Sequence, residues 1–248
     1  MIRHESRDGV NLVRFDRPDK KNAITGEMYL ALVDGLMAGE ADAGIGCHLI
    51  SGSPGAFTAG NDIADFMRYA SQGDLSDTPV LKFLSVLARL EKPLVAAVDG
   101  LAIGVGTTLL FHCDMVYATP RTVLRTPFVD LGLVPEAGSS LLAPRIMGHQ
   151  RAFALLCLGD PFTAEAAREA GIVNHVVSEA DLETAAFDCA SRIAARPREA
   201  MGLSRRLLRG DRTEVLARMD EEALIFGQRL SSPEAATAFA AFMGKGKG

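Results

Sequence analysis

Apolar and polar residues alternate along the chain with two distinct periods, and the places where the period changes mark its elements. Val10 to Phe15 alternates with period two, as a strand buried on one face does. The turn-rich stretch Arg17-Pro18-Asp19-Lys20-Lys21-Asn22 follows. Thr25 is placed to cap a helix from Gly26 to about Glu40, with Met28, Leu32 and Leu36 along one face. His48-Leu49-Ile50-Ser51 predicts a second strand, and Gly52 to Asp62 a loop of small residues that lets the backbone approach a ligand closely. Asp62 opens a further helix through Phe66, and Val80 to Leu90 an amphipathic one that stops at Lys92-Pro93.

Leu94-Val95-Ala96-Ala97-Val98 is continuously apolar, the pattern of a strand buried on both faces. Asp99-Gly100 breaks it, and Gly104-Val105-Gly106 leads into a buried helix start at Thr107 to His112. A strand, a glycine-containing turn and a helix N-terminus aim unpaired N–H groups at one spot. Such a spot holds an anion, or a carbonyl oxygen becoming one; equally, it is what an ordinary tight crossover looks like. Strands are predicted at 114–118 and 122–125, a helix at 137–147 after Leu131 to Glu136, a helix from Thr163 to Gly171, and a strand at 172–177. From Ser178 the pattern is helical, over 178–195, 198–209, 211–230 and 232–243. Strand–helix units thus fill the front of the chain and helices its end. This predicts an α/β core over residues 1–190 and a helical region over 191–248.

Composition narrows the functions. The chain has 248 residues, enough for a large core, and is 48% hydrophobic, with apolar runs too short or too interrupted to span a bilayer. Met1 to Glu5 carries no apolar leader segment, so the cytoplasm is the expected compartment. A net charge of −5 argues against a nucleic-acid face. The four cysteines lie far apart and the histidines show no ligand spacing, so neither a disulfide framework nor a metal site is expected. The nucleotide-binding motifs GxGxxG and GxxxxGK[ST] are absent as well.

Five stretches, RPDKKNAI, SGSPGAFTAGNDI, KPLVAAVDGLAIGVGTTLLFHCD, LGLVPEAGSSLLAPRIMG and SSPEAATAFAAFMGKGK, occur in an order that resembles the crotonase (enoyl-CoA hydratase/isomerase) superfamily. The resemblance covers about residues 8 to 245. It implies a crotonase-like α/β spiral of ββα units with a C-terminal helical trimerisation region, hence a homotrimer or a dimer of trimers. It implies an acyl-CoA thioester as substrate, with coenzyme A part of that substrate and no separate cofactor. The thioester oxygen would accept the backbone N–H groups of Asn61 and Val105, the latter standing where a glycine is common. Lys20, Lys21 and Ala23 would lie near the nucleotide end of coenzyme A, and Ala59, Gly60, Asp62 and Ile63 near its pantetheine arm. Ile103, Gly104, Thr108, Phe128 and Pro135 complete the implied substrate-binding set. Phe242 and Lys245 match a terminal Phe-x-x-Lys that meets the adenine and phosphates, although Phe242 also suits packing of the last helix.

Hydratases of this family use two glutamates, and this chain has Thr108 and Phe128 at those positions, neither able to act as a carboxylate base. Glu136 instead stands where the peroxisomal-type Δ3,Δ2-enoyl-CoA isomerases carry their catalytic glutamate. One carboxylate suffices for a 1,3-proton shift. Local sequence also allows Glu136 simply to occupy the first turn of the following helix, where the dipole favours an acid. Asp130 is a weaker candidate base, and Asp62 has the position of a helix cap. The resemblance therefore implies isomerisation of an unsaturated acyl-CoA. A hydratase directed by Glu136 alone, another chemistry of the family, or an acyl-CoA binder without catalysis stand as alternatives.

Overall fold

A computed structural model describes residues 1–70 and 78–245. The ordered elements are β1 (Ile2–Arg7), β2 (Val10–Phe15), α1 (Gly26–Ala41), β3 (Cys47–Ser51), β4 (Ala56–Thr58), α2 (Ile63–Ala70), α3 (Pro79–Arg89), β5 (Leu94–Val98), β6 (Leu101–Ile103) and α4 (Val105–Thr108). There follow β7 (Met115–Ala118), β8 (Val123–Arg125), α5 (Ser139–Met147), α6 (His149–Leu156), β9 (Phe162–Thr163), α7 (Ala164–Glu169) and β10 (His175–Val176). The last four helices are α8 (Leu182–Ala194), α9 (Arg198–Arg209), α10 (Arg212–Leu230) and α11 (Pro233–Lys245).

From β3 to β8, successive strands fall alternately into two sheets. One runs β1-β2-β3-β5-β7-β10, the other β4-β6-β8-β9. Each of the pairs β3/β4, β5/β6 and β7/β8 therefore gives one strand to each sheet before a helix returns the chain, and the result is a spiral of ββα turns. The central pairings β2–β3, β3–β5 and β5–β7 are parallel. Parallel strands covered on both faces read as unbroken apolar runs, and β5 shows why. Leu94, Ala96 and Val98 point into the main core with Phe15, Ile50 and Val116, whereas Val95 and Ala97 point outward to Leu182, Ala186 and Cys189. The outward set belongs to α8, which roofs the opposite face.

Helix α1 begins as predicted, with the Thr25 hydroxyl accepting from the Met28 amide at 3.3 Å, and Met28, Leu32 and Leu36 are buried. Four strands escaped the pattern. β1 is an exposed edge with no buried residue, and β4, β6 and β9 have at most three residues each, too few to show a period. The helix expected at 137–147 starts at Ser139, because Ala137 and Gly138 take left-handed backbone angles, with φ of 62° and 70°. The segment expected to be helical from 178 becomes regular at Leu182, and the strand expected over 172–177 is regular only at His175–Val176. None of the described helices is long and apolar enough to cross a membrane.

Where β5 turns into β6, Asp99 accepts from the Gly55 amide at 2.6 Å and from the Arg121 guanidinium. Gly100 (φ 71°) sits so close to the neighbouring loop that a Cβ there would lie 2.0 Å from the Gly55 carbonyl oxygen. Gly100→Ala is expected to cost at least the roughly 1–3 kcal/mol of a strained left-handed residue. A denaturant midpoint equal to wild type would show that this contact does not constrain the fold.

Candidate active site

Two loops that leave neighbouring strands meet edge to edge. Gly60 (φ 88°) lies against β6, so that a Cβ on it would come 2.8 Å from the Ile103 carbonyl oxygen. A Cβ on Gly106 would lie 2.5 Å from the Thr58 methyl. The first loop is stapled to the segment before α1. Ile24 N–H donates to Gly60 O (2.8 Å), Asp62 N–H donates to Ile24 O (2.9 Å), and the buried Asn22 amide donates to Ala56 O and Phe57 O. A parallel bridge pairs Ile24 with Asn61, and because Ile24 bonds the residues on either side, the Asn61 N–H is turned away from it. Gly104 is held by Arg125 O at 2.8 Å, and Val105 opens α4 with its side chain buried in the core and its N–H at the helix start. Among the described residues, no acceptor takes the Asn61 or Val105 amide.

Beside these loops is a narrow cleft with about 60 Å³ of accessible space. Its wall is largely apolar, with Ile24, Phe66, Leu84, Met219, Phe226 and Leu230 among the lining residues, and its polar members include Tyr29, Asn61 and Glu136. The Tyr29 hydroxyl donates to Asn61 Oδ1 at 2.5 Å. Burial, with the Glu136 charge second, holds the Tyr29 phenol protonated far above its ordinary range.

Glu136 is the singular group. Burial pushes its carboxyl up to about 8, the Glu222 charge pushes the same way, and a hydrogen bond from Thr108 opposes them. Thr108 Oγ1 donates to Glu136 Oε1, and lies 3.5 Å from the Val105 carbonyl. The loop after Glu136 is gripped from two sides. His112 is held neutral, at about 4, chiefly by burial, and its Nε2 meets Ala137 O at 2.7 Å. Glu222 of α10 accepts from Gly138 N at 2.6 Å and from Ser140 N at 2.9 Å. Glu136 therefore does not occupy the first turn of α5, and the carboxylate at that helix start belongs to Glu222.

Of the residues singled out from sequence, the cleft brings together Asn61, Asp62 and Glu136, with Thr108 touching Glu136 and Val105 one turn away. Asp62 caps α2 through Ala64 N and pairs with Arg17 at 2.8 Å; these bonds outweigh its burial and hold its carboxyl below the ordinary range. Phe128 is packed in the core, and Asp130 is exposed and turned to Arg125. Lys20 and Lys21 are exposed, and Ala23, Ala59, Ile63, Ile103, Gly104 and Pro135 are half-buried along the loops. Phe242 is 49% exposed; Lys245 ends α11, and its side chain lies outside the described residues. Sequence reasoning passed over Tyr29, Asn22, His112 and Glu222. Glu222 follows Glu221 in a helix and reads as a solvated face, so nothing local marks it.

Glu136 also makes a stability prediction. A carboxyl whose folded midpoint, about 8, exceeds its unfolded value of 4.5 favours the fold fully at low pH and loses that contribution as pH rises between those values. Glu136→Gln should therefore be more stable than wild type at pH 9, with the gap closing towards pH 4.5. Denaturant melts showing no pH-dependent gap would contradict this environment for Glu136.

The family described as enoyl-CoA hydratase/isomerase matches residues 5–248. The chain is 33% identical over 218 residues to 4-chlorobenzoyl coenzyme A dehalogenase-1 of Arthrobacter sp, covering 86% of this chain and 79% of that protein. It is 31% identical to the peroxisomal enoyl-CoA delta isomerase 3 of Mus musculus, covering 96% and 76%. A crystal structure of an enoyl-CoA hydratase/isomerase from Pseudoalteromonas atlantica T6c superimposes with a TM-score of 0.93 at 38% identity, covering 98% of this chain and 97% of that one.

Proposed function

The chain belongs to the enoyl-CoA hydratase/isomerase family, with its crotonase fold, and from that premise we propose that it isomerises an unsaturated acyl-CoA from Δ3 to Δ2 through an enolate, with Glu136 as the single base. The observation that carries the reading is the state of Glu136: a carboxylate on an apolar cleft, bonded by a threonine hydroxyl, and relieved of helix capping by Glu222. In this reading the thioester oxygen accepts from the Asn61 and Val105 amides. Glu136 takes a proton from C2, and the C–H electron pair moves into the dienolate, placing charge on that oxygen. The same carboxyl then returns the proton to C4, and the double bond ends between C2 and C3. A donor aimed at such an oxygen is worth about 2.7–4 kcal/mol of barrier.

Lys20, Lys21 and Ala23 are proposed to face the nucleotide end of coenzyme A, Ala59, Gly60, Asp62 and Ile63 its pantetheine arm, and Phe242 and Lys245 its adenine and phosphates. Exposed Lys20 and Lys21 are free to meet the anionic cofactor portion in a chain of net charge −5. We also propose assembly as a trimer or a dimer of trimers. Leu207 is 84% exposed and Leu208 88%, and Leu203, Leu224 and Ile225 add to the uncovered apolar surface of α9 and α10, of the kind assembly covers. Phe226 of α10 and Phe239 of α11 instead pack within the chain on the Phe66 ring.

A 3-enoyl-CoA assay with product mass tests the reading, since isomerisation conserves mass and hydration adds a water. Glu136→Gln should lower kcat by about 10²–10⁴, the usual worth of a general base, with KM nearly unchanged. Normal turnover by that variant would remove Glu136 from the mechanism. Because the base works ionised, kcat/KM should rise with pH through about 8. Thr108→Val, which deletes the donor that favours the ionised form, should move that rise to higher pH; an unmoved profile would deny the hydroxyl its role.

A further inference from the structure

We propose that Glu222 is a positioning residue for Glu136: its carboxyl, reaching across from α10, fixes the backbone that carries Glu136 and, when ionised, adds a like charge near it. The inference rests on the reading of Glu136 as the base, but its geometry is independent of the substrate. Glu222 is 5% exposed, on a helix 86 residues further along the chain (222 − 136). Three donors converge on it: Gly138 N–H at 2.6 Å on Oε2, with Ser140 N–H at 2.9 Å and the Ser140 hydroxyl at 2.5 Å on Oε1. Burial raises the Glu222 carboxyl above its ordinary range, and these three donors, with the Arg218 charge, oppose that rise and favour its ionised form. The donors sit on Gly138 and Ser140, and so fix the turn Ala137-Gly138, whose left-handed backbone carries Glu136 clear of α5 and beside Thr108. His112 holds the Ala137 carbonyl from the other side.

The charges around Glu136 leave Glu222 as the one that bears on it. Asp62 is paired with Arg17, and Asp65 with Arg68 at 3.1 Å while accepting from Gly26 N. The Tyr29 phenol is protonated and His112 is neutral. Arg218, on the helix of Glu222, pairs with Glu221 at 3.0 Å and reaches Ser140 Oγ at 3.3 Å, so among the described residues Glu222 carries no direct ion pair. An anion held there disfavours a second one on Glu136. When Glu136 does ionise it is then a stronger base, suited to the weakly acidic carbon next to a thioester.

The charge and the reach of Glu222 separate in two variants. Glu222→Gln removes the charge. The midpoint of Glu136, followed by carbon-13 NMR of glutamate-labelled protein and assigned by its loss in Glu136→Gln, should fall by about one pH unit, the size a nearby like charge gives at an effective dielectric of about 20. Glu222→Asp keeps the charge and shortens the reach by one methylene. There kcat on a 3-enoyl-CoA should fall about 10–100-fold at nearly constant KM, as a base displaced by the order of an ångström does, while the Glu136 midpoint moves far less than in Glu222→Gln. A residue serving only as a structural cap would lower the melting temperature in both variants and leave the Glu136 midpoint in place. A wild-type midpoint in Glu222→Gln, or a wild-type kcat in Glu222→Asp, overturns the proposal; if Glu222→Gln does not fold, Glu222→Asp decides alone. Should Glu136→Gln itself isomerise normally, the reading of Glu136 as the base fails, and the titration arm still shows whether Glu222 sets the charge state of Glu136.

Discussion

The fold depends on backbones touching where side chains would keep them apart. Gly100 against Gly55, Gly60 against Ile103 and Gly106 against Thr58 lie along one seam between the loops that leave β3–β4 and β5–β6. A methyl group at any of the three would meet its neighbour at 2.8 Å or less. The seam is kept closed by groups that cannot be exchanged for apolar ones. Asp99 ties Gly55 to Arg121, and its carboxyl is held below the ordinary range because these bonds outweigh its burial. Asn22 crosses to Ala56 and Phe57 from the other side.

Behind that seam the electrostatics are arranged by what is withheld from Glu136. A helix N-terminus would stabilise its anion, and the left-handed pair Ala137-Gly138 takes it out of that position. The N-terminal amides are given to Glu222 instead. What remains for Glu136 is one hydroxyl, Thr108, on an apolar wall, and its carboxyl rises accordingly. The same hydroxyl, lying 3.5 Å from Val105 O, can donate to an ionised Glu136 or accept from a protonated one, so both protonation states keep a partner.

How much of this was legible follows from how local each signal is. The β5 run, the Asp99-Gly100 break and the Thr25 cap are properties of a few adjacent residues, and the structure has all three. Strands of two or three residues show no period, which is why the second sheet was hidden although its loops were not. Glu136 was picked out by motif position, but its departure from the helix could not be seen, since alanine is an unusual choice for a left-handed residue. Thr108 was read as the absence of a base; in space it is the hydrogen-bond partner of Glu136. Glu222, Met219 and Phe226 belong to a region that sequence assigned to assembly, and no short-range pattern says that a helix packs back over a cleft lined by residues between Ile24 and Ala137.

The number of carboxylates bears on which family chemistry suits this cleft. Adding water across a double bond needs a group that orients and deprotonates the water and a group that manages the α-proton. The positions that would supply that pair hold Thr108, spent on Glu136, and Phe128, buried in the core. Glu222 is no substitute, because both of its oxygens are turned to the backbone of the Gly138–Ser140 loop. A lining of Ile24, Phe66, Leu84 and Phe226 offers a water few of the polar partners it would need to stay. A 1,3-shift asks for less: one base, on one face of a planar dienolate, able to reach C2 and C4 in turn. Its proton must not be lost to solvent in between, and a carboxyl with its midpoint near 8 on an apolar wall retains a proton for longer than an ordinary glutamate would. The feature that makes Glu136 a slow acid towards water is thus one that the proposed transfer of a single proton from one carbon to the next would use.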